Sequence, residues 1–116
     1  NVYAILAGIL GLKRESKDWY DFIFEVSEEM RSILAYNGAE AETVDLACGV
    51  GDLKLTCGYP SRNYEFGDLL RGNPDYQPEK TVEGVSALKK IKRGEIILPD
   101  NLPHLSDLLS RSKKWA

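Results

Sequence analysis

Residues 2–12 constrain this chain most, because the segment is apolar on nearly every side. Its Ala, Leu, Ile and Gly content suits a helix over residues 2–10 better than a strand, and such a helix has to be enclosed by other helices. Gly8 and Gly11 permit neighbours to approach closely. The run falls far short of the roughly 20 residues that cross a bilayer. It also lacks the basic start and small-residue cleavage site of an export signal, so a cytoplasmic protein is expected.

The rest of the chain supplies helices to do the enclosing. After a charged connector at residues 13–17, Ser16 is placed to cap a long helix. Along it Trp19, Phe22, Ile23, Val26, Met30, Ile33 and Leu34 recur at steps of three and four, with Glu25, Glu28, Glu29 and Arg31 expected mostly on other faces. Tyr20 and Phe24 are expected to widen the buried face, and Asn37-Gly38 to stop the helix. A shorter helix is expected over residues 42–47, interrupted by Cys48-Gly49-Val50-Gly51, with a further helical turn at residues 52–56.

Gly58-Tyr59-Pro60 predicts a turn, after which Ser61 can cap a helix with Phe66, Leu69 and Leu70 on its buried edge. Gly72 ends that helix before a loop at residues 73–80. Thr81 is expected to cap the next one, which buries Val85, Leu88 and Ile91 and carries Lys89, Lys90, Lys92 and Arg93 near its negative end. Pro99 and Pro103 frame a last helix with Leu105, Leu108 and Leu109, while the position of Trp115 is left open. The expectation is therefore an all-α bundle, one domain over residues 1–116.

Composition narrows function. An apolar share of 43% and a charged share of 28% argue against disorder and a membrane protein. A net charge of −3 lacks the field that draws proteins to nucleic acid or anionic lipid, so an anionic ligand needs a local site. The basic residues 89–93 and Lys113-Lys114 do not outweigh that balance in favour of a helix-turn-helix nucleic-acid binder. Cys48 and Cys57 match no metal spacing and His104 is remote, which predicts reduced, packed thiols and no metal.

The chemistry concentrates in residues 49–57 and in Ser61-Arg62-Asn63, which gather a carboxylate, hydroxyls, an amide and a guanidinium between turns. If Ser61 begins a helix, its free N–H groups and dipole favour an anion, and Arg62 can grip a phosphate with two prongs. The plainer reading has Ser61 as a cap only, Arg62 as a surface charge and Asp52 as the partner of a nearby lysine. The glycines before Asp52 are not a phosphate-cradling loop of the Rossmann or P-loop kind, which follows a strand.

Residues 1–8 (from Asn1-Val2-Tyr3 to Gly8), then Gly51-Asp52-Leu53 through Leu55-Thr56-Cys57, Ser61-Arg62-Asn63 with Phe66-Gly67, and Val82-Glu83-Gly84 together resemble the carboxyl-terminal domain of NAD(P)-dependent glycerol-3-phosphate dehydrogenase. The resemblance runs to about Lys92 and more loosely to Leu98-Pro99. It implies a helical bundle like the carboxyl-terminal domain of 6-phosphogluconate dehydrogenase, normally preceded by a Rossmann domain that holds NAD or NADP. It further implies interconversion of dihydroxyacetone phosphate and sn-glycerol 3-phosphate, with a catalytic lysine immediately before the position of Asn1. No catalytic residue is therefore expected within this chain, which by itself is expected to be inactive.

Carried over by position, the resemblance assigns Asn1, Asp52 and Thr56 to the reacting end of the substrate and Ser61, Arg62 and Asn63 to its phosphate. Arg62 and Glu83 are assigned to the cofactor side, although Glu83 equally suits the first turn of a helix. Between the first two helices the family usually has a longer glycine-rich passage with a Gly-Asp-Asn element; this chain has the shorter, charged residues 13–17. Expected partners are a phosphorylated three-carbon substrate and the nucleotide-binding domain, with a homodimer as a candidate. The alternative is a helical interaction or dimerisation module that keeps the fold without catalysis.

Overall fold

The computed structural model describes residues 2–78 and 80–116, and the side chains of all of these except Ala47 and Cys48. Among them every regular element is helical, in the order α1 (Val2–Ile9), α2 (Lys17–Tyr36), a 3₁₀ turn (Ala41–Asp45), a π-type turn (Ala47–Gly51), α3 (Asp52–Thr56), α4 (Arg62–Gly72), α5 (Glu83–Lys92), α6 (Pro103–Arg111) and a closing 3₁₀ turn (Ser112–Lys114). None of the helices is long and apolar enough to cross a membrane.

Helix α1 is the axis of the bundle. Its residues from Tyr3 to Gly8 are all buried, as a segment apolar on every side requires. Its main neighbour is α4, with α5, α6 and α2 completing the enclosure. Contact with α4 is made backbone to backbone: a Cβ on Gly8 would stand under 3.0 Å from the Tyr64 carbonyl oxygen, and one on Gly67 under 3.0 Å from that of Ile5. Gly11 acts differently, taking a left-handed φ of 66° where α1 turns into the connector.

Helix α2 begins at Ser16, whose hydroxyl accepts from the Trp19 N–H at 3.2 Å, and stops at Asn37 before left-handed Gly38. It buries Trp19, Phe22, Ile23 and Val26 as the periodicity requires. Tyr20 and Phe24 depart from expectation and are 49% and 68% exposed. Glu29 departs the other way: it is 5% exposed, and its carboxylate accepts from the Tyr3 hydroxyl at 3.1 Å and from the His104 and Leu105 backbone N–H groups at 2.8 and 3.0 Å. Helix α6 opens on Leu102 and Pro103 with no side chain of its own at the cap, so this acid from α2 satisfies its first free amides. Burial first, then the Glu29 charge, holds the Tyr3 phenol protonated well above its usual range, which keeps it a donor.

Between α2 and α4 the expected helix over residues 42–47 is replaced by the tight 3₁₀ turn and the wider π-type turn, and the glycine segment continues as helical backbone into α3. Gly49 lies against the Val44 backbone, where a side chain would not fit. Arg31 of α2 pairs with Asp45 and ties the first of these turns down. Leu69 is half exposed, and α4 buries Asn63, Tyr64 and Gly67 beside Phe66 and Leu70. Helix α5 is preceded by Val82 rather than capped by Thr81, which is exposed. Residues 95–98 form no strand, and Trp115 is docked edge-on against Phe66 at 5.2 Å.

Cys57 is fully buried and free, and burial pushes its thiol up to about 12. A raised pKa leaves the unreactive neutral thiol at pH 8. Iodoacetamide at pH 8 is therefore expected to leave Cys57 unmodified in the folded protein and to alkylate it in guanidinium, as read by peptide mass mapping.

Candidate functional site

Two helix starts and one short helix face a common recess of 570 Å³. Helix α3 contributes Asp52, Leu55 and Thr56; the turn into α4 contributes Pro60, Ser61, Arg62 and Asn63; and the approach to α5 contributes Thr81 and Glu83. Six of the seven residues singled out in the sequence thus share one opening, and the seventh, Asn1, lies outside the described residues. Leu55, Pro60 and Thr81 also line it and were not among the residues singled out for a ligand.

Ser61 caps α4 with extended backbone, its hydroxyl accepting from the Tyr64 N–H at 3.3 Å. A hydroxyl that accepts this way retains a proton to donate. Helix geometry leaves the Arg62 and Asn63 N–H groups without an intrahelical acceptor, so the start of α4 is a positive end with donors to offer. Asn63 is buried, and its Oδ1 accepts from the Gly84 N–H at 2.9 Å, locking the start of α4 to the start of α5. That bond fixes the amide's orientation and leaves its NH₂ as the group available to a ligand.

Arg62 is exposed, and among the described residues its guanidinium makes no hydrogen bond or ion pair. Asp52 makes no ion pair with a lysine among the described residues, so the plainer reading of that carboxylate is not seen. Thr56 is half-buried and its hydroxyl donates to the Leu53 carbonyl at 3.3 Å, leaving its oxygen as an acceptor. Glu83 stands exposed in the first turn of α5, where its charge also suits the helix dipole.

The charges are unevenly placed. Two carboxylates and one guanidinium line the recess, so an anion is favoured only at the α4 start, where Arg62 and the helix end act together. Asp52, by contrast, suits hydroxyl donors. The recess can thus offer donors to an anion at one end and an acceptor to hydroxyls at the other. Arg62 is also the wall shared with a second recess of 320 Å³, lined by Phe66, Tyr76 and Lys80 among others. No group of His, Cys, Asp and Glu side chains able to hold a metal occurs among the described residues.

Residues 1–97 match the family described as NAD-dependent glycerol-3-phosphate dehydrogenase C-terminus. Relatives named glycerol-3-phosphate dehydrogenase [NAD(P)+] include one from Roseobacter denitrificans, 42% identical over 59 residues that make up 50% of this chain and 18% of the relative. One from Protochlamydia amoebophila is 38% identical over 81 residues, covering 61% of this chain and 24% of the relative. One from Pseudomonas putida is 36% identical over 101 residues, covering 79% of this chain and 29% of the relative. The chain therefore spans less than a third of the length of these relatives. No solved structure gives a significant match. With the family match running through every described residue of the recess, the chain belongs to the NAD-dependent glycerol-3-phosphate dehydrogenase C-terminal family.

Proposed function

We propose that this chain is the substrate-binding C-terminal domain of a glycerol-3-phosphate dehydrogenase that interconverts dihydroxyacetone phosphate and sn-glycerol 3-phosphate with NAD(P)(H). The observation that carries the proposal is the Arg62 guanidinium, unpaired within the described chain, standing beside the start of α4 in a recess whose other wall bears Asp52 and Thr56. The substrate phosphate sits against Arg62, the Ser61 hydroxyl, the Asn63 NH₂ and the free amides of α4. Asp52 accepts from a substrate hydroxyl, and Thr56 borders the same end. Asn1 belongs to that end by resemblance alone.

The nicotinamide, when bound, supplies or accepts the hydride. Arg62 and Glu83, a cation and an acid on the exposed rim, are the residues of this chain that would meet the cofactor's polar groups, most of the cofactor being held by sequence outside the chain. Reduction of the ketone also needs a proton donor at the carbonyl oxygen. Among the described residues no lysine or histidine lines the recess.

Glycerol 3-phosphate added to the 116-residue chain is expected to shift amide resonances of residue 52 and residues 61–63 in ¹⁵N-correlated NMR spectra. Arg62→Ala is expected to weaken that binding about a hundredfold, at the upper end for a charge-assisted pair. A wild-type protein that shows no shifts there would sink the proposal. A second reading, a helical interaction module without catalysis, draws on the exposed Tyr20, Phe24 and Leu55. It predicts self-association or protein binding together with no response to glycerol 3-phosphate.

A further inference from the structure

The two walls of the recess are separate elements, α3 and the start of α4, joined by residues 57–61. A ligand that bridges them is recognised only if this link holds a fixed length. Two of its carbonyls, and that of Leu55 near the end of α3, are held from outside. Arg14 donates through Nη1 to the Tyr59 carbonyl and through Nη2 to the Leu55 carbonyl, both at 2.8 Å. Between them the Cys57 carbonyl accepts from the Trp19 indole N–H, also at 2.8 Å. A Cβ on Gly58 would stand 2.7 Å from Arg14 Nη2, so the guanidinium lies directly on the glycine.

We propose that Arg14 is a positioning residue for this site: its guanidinium, bridging the Leu55 and Tyr59 carbonyls, sets the distance between the hydroxyl-binding wall and the phosphate-binding wall. The role rests on the substrate reading given above. Arg14 lines a groove behind the link with Trp19 and Leu55 and does not line the recess, so it acts through the backbone rather than on the ligand. The planar fork spans two acceptors at once, which a lysine ammonium on its single stem does not reproduce. The residue comes from the short charged connector, and Glu15, next to it, takes the left-handed φ of 69° at the turn into α2.

The test compares inorganic phosphate with glycerol 3-phosphate on the 116-residue chain, by NMR titration, with thermal unfolding as the check on folding. Phosphate needs only the α4 wall, whereas glycerol 3-phosphate needs both. Arg14→Ala is expected to leave phosphate affinity within about twofold and to lower the preference for glycerol 3-phosphate about tenfold, the size expected for losing two backbone bridges. Arg14→Lys keeps the charge and is expected to fall close to Arg14→Ala. An unchanged preference in Arg14→Ala, an equal loss for both ligands, or a wild-type-like Arg14→Lys overturns the positioning role, the last by making it a matter of charge. A wild-type protein that binds neither ligand, or both equally, overturns the substrate reading and the Arg14 role with it.

Discussion

Glu29→Ala is expected to destabilise the domain by about 3 to 5 kcal/mol, because it strands three donors at once, two of them buried and the His104 amide partly so. The Tyr3 hydroxyl and the His104 and Leu105 amides all point at this carboxylate, which is 5% exposed. Each stranded donor costs roughly 1 to 3 kcal/mol, while recovery of the lost side-chain entropy is smaller. Glu29→Gln keeps the shape but turns an NH₂ toward donors, so a cost of about 1 to 3 kcal/mol is expected. Tyr3→Phe removes one donor and leaves the carboxylate two amides, for about 1 kcal/mol. Urea unfolding of the three variants checks the order; a Glu29→Ala protein within 1 kcal/mol of wild type would show that the clamp contributes little.

The order matters for the architecture, because α6 lies beyond residue 97, where the family match ends. The last helix is attached to the matched part through two acids of α2, Glu29 at its first amides and Glu25 at the His104 ring nitrogen 2.7 Å away, alongside the packing of Leu105 and Leu108. Loss of Glu29 is therefore expected to loosen α6 first, and amide exchange at residues 104–109 should rise before that of α1.

The same residue marks what the sequence conceals. Helical spacing, followed strictly, places position 29 three residues after Val26 and seven after Phe22, in register with the core. Its charge argued for solvent, and only the unsatisfied start of a helix many residues later explains why an acid belongs there. Tyr20 and Phe24 are the converse: their apolar character suggested burial, but a step of four from 20 to 24 runs along a different stripe from the buried one at 19, 22, 23 and 26. At positions 20, 24 and 29 periodicity decided correctly where it disagreed with hydrophobicity.

At the site, the helix start at Ser61 was legible because capping is a local matter of one hydroxyl and one amide. So was the enclosure of α1, which follows from composition alone. Arg14 was not legible, since its partners lie 41 and 45 residues away and are backbone carbonyls, which have no sequence signature. The joining of Asn63 to Gly84 was hidden for the same reason.

Gly67→Ala is expected to cost about 3 kcal/mol or more and to impair ligand binding even under conditions where the fold persists. Two effects oppose each other. Alanine in a helix interior gains about 1 kcal/mol over glycine in propensity. At this position, however, the new methyl meets backbone of α1, under 3.0 Å from the Ile5 carbonyl oxygen and 2.9 Å from the Ile9 nitrogen. Backbone in the middle of a buried helix cannot rotate aside as a side chain does, so the helices must separate, and steric cost prevails over propensity.

Gly72→Ala is the control, because nothing lies within 4 Å of a Cβ there and its φ is not left-handed; a change within about 1 kcal/mol of wild type is expected. Separation of α4 from α1 also carries Ser61, Arg62 and Asn63 away from Asp52, so the glycerol 3-phosphate response should weaken more than the phosphate response. Thermal unfolding and the paired titration measure the two consequences independently. A Gly67→Ala protein as stable as Gly72→Ala would mean that the helices do not cross at this glycine, and the placement of the phosphate wall would then need another cause.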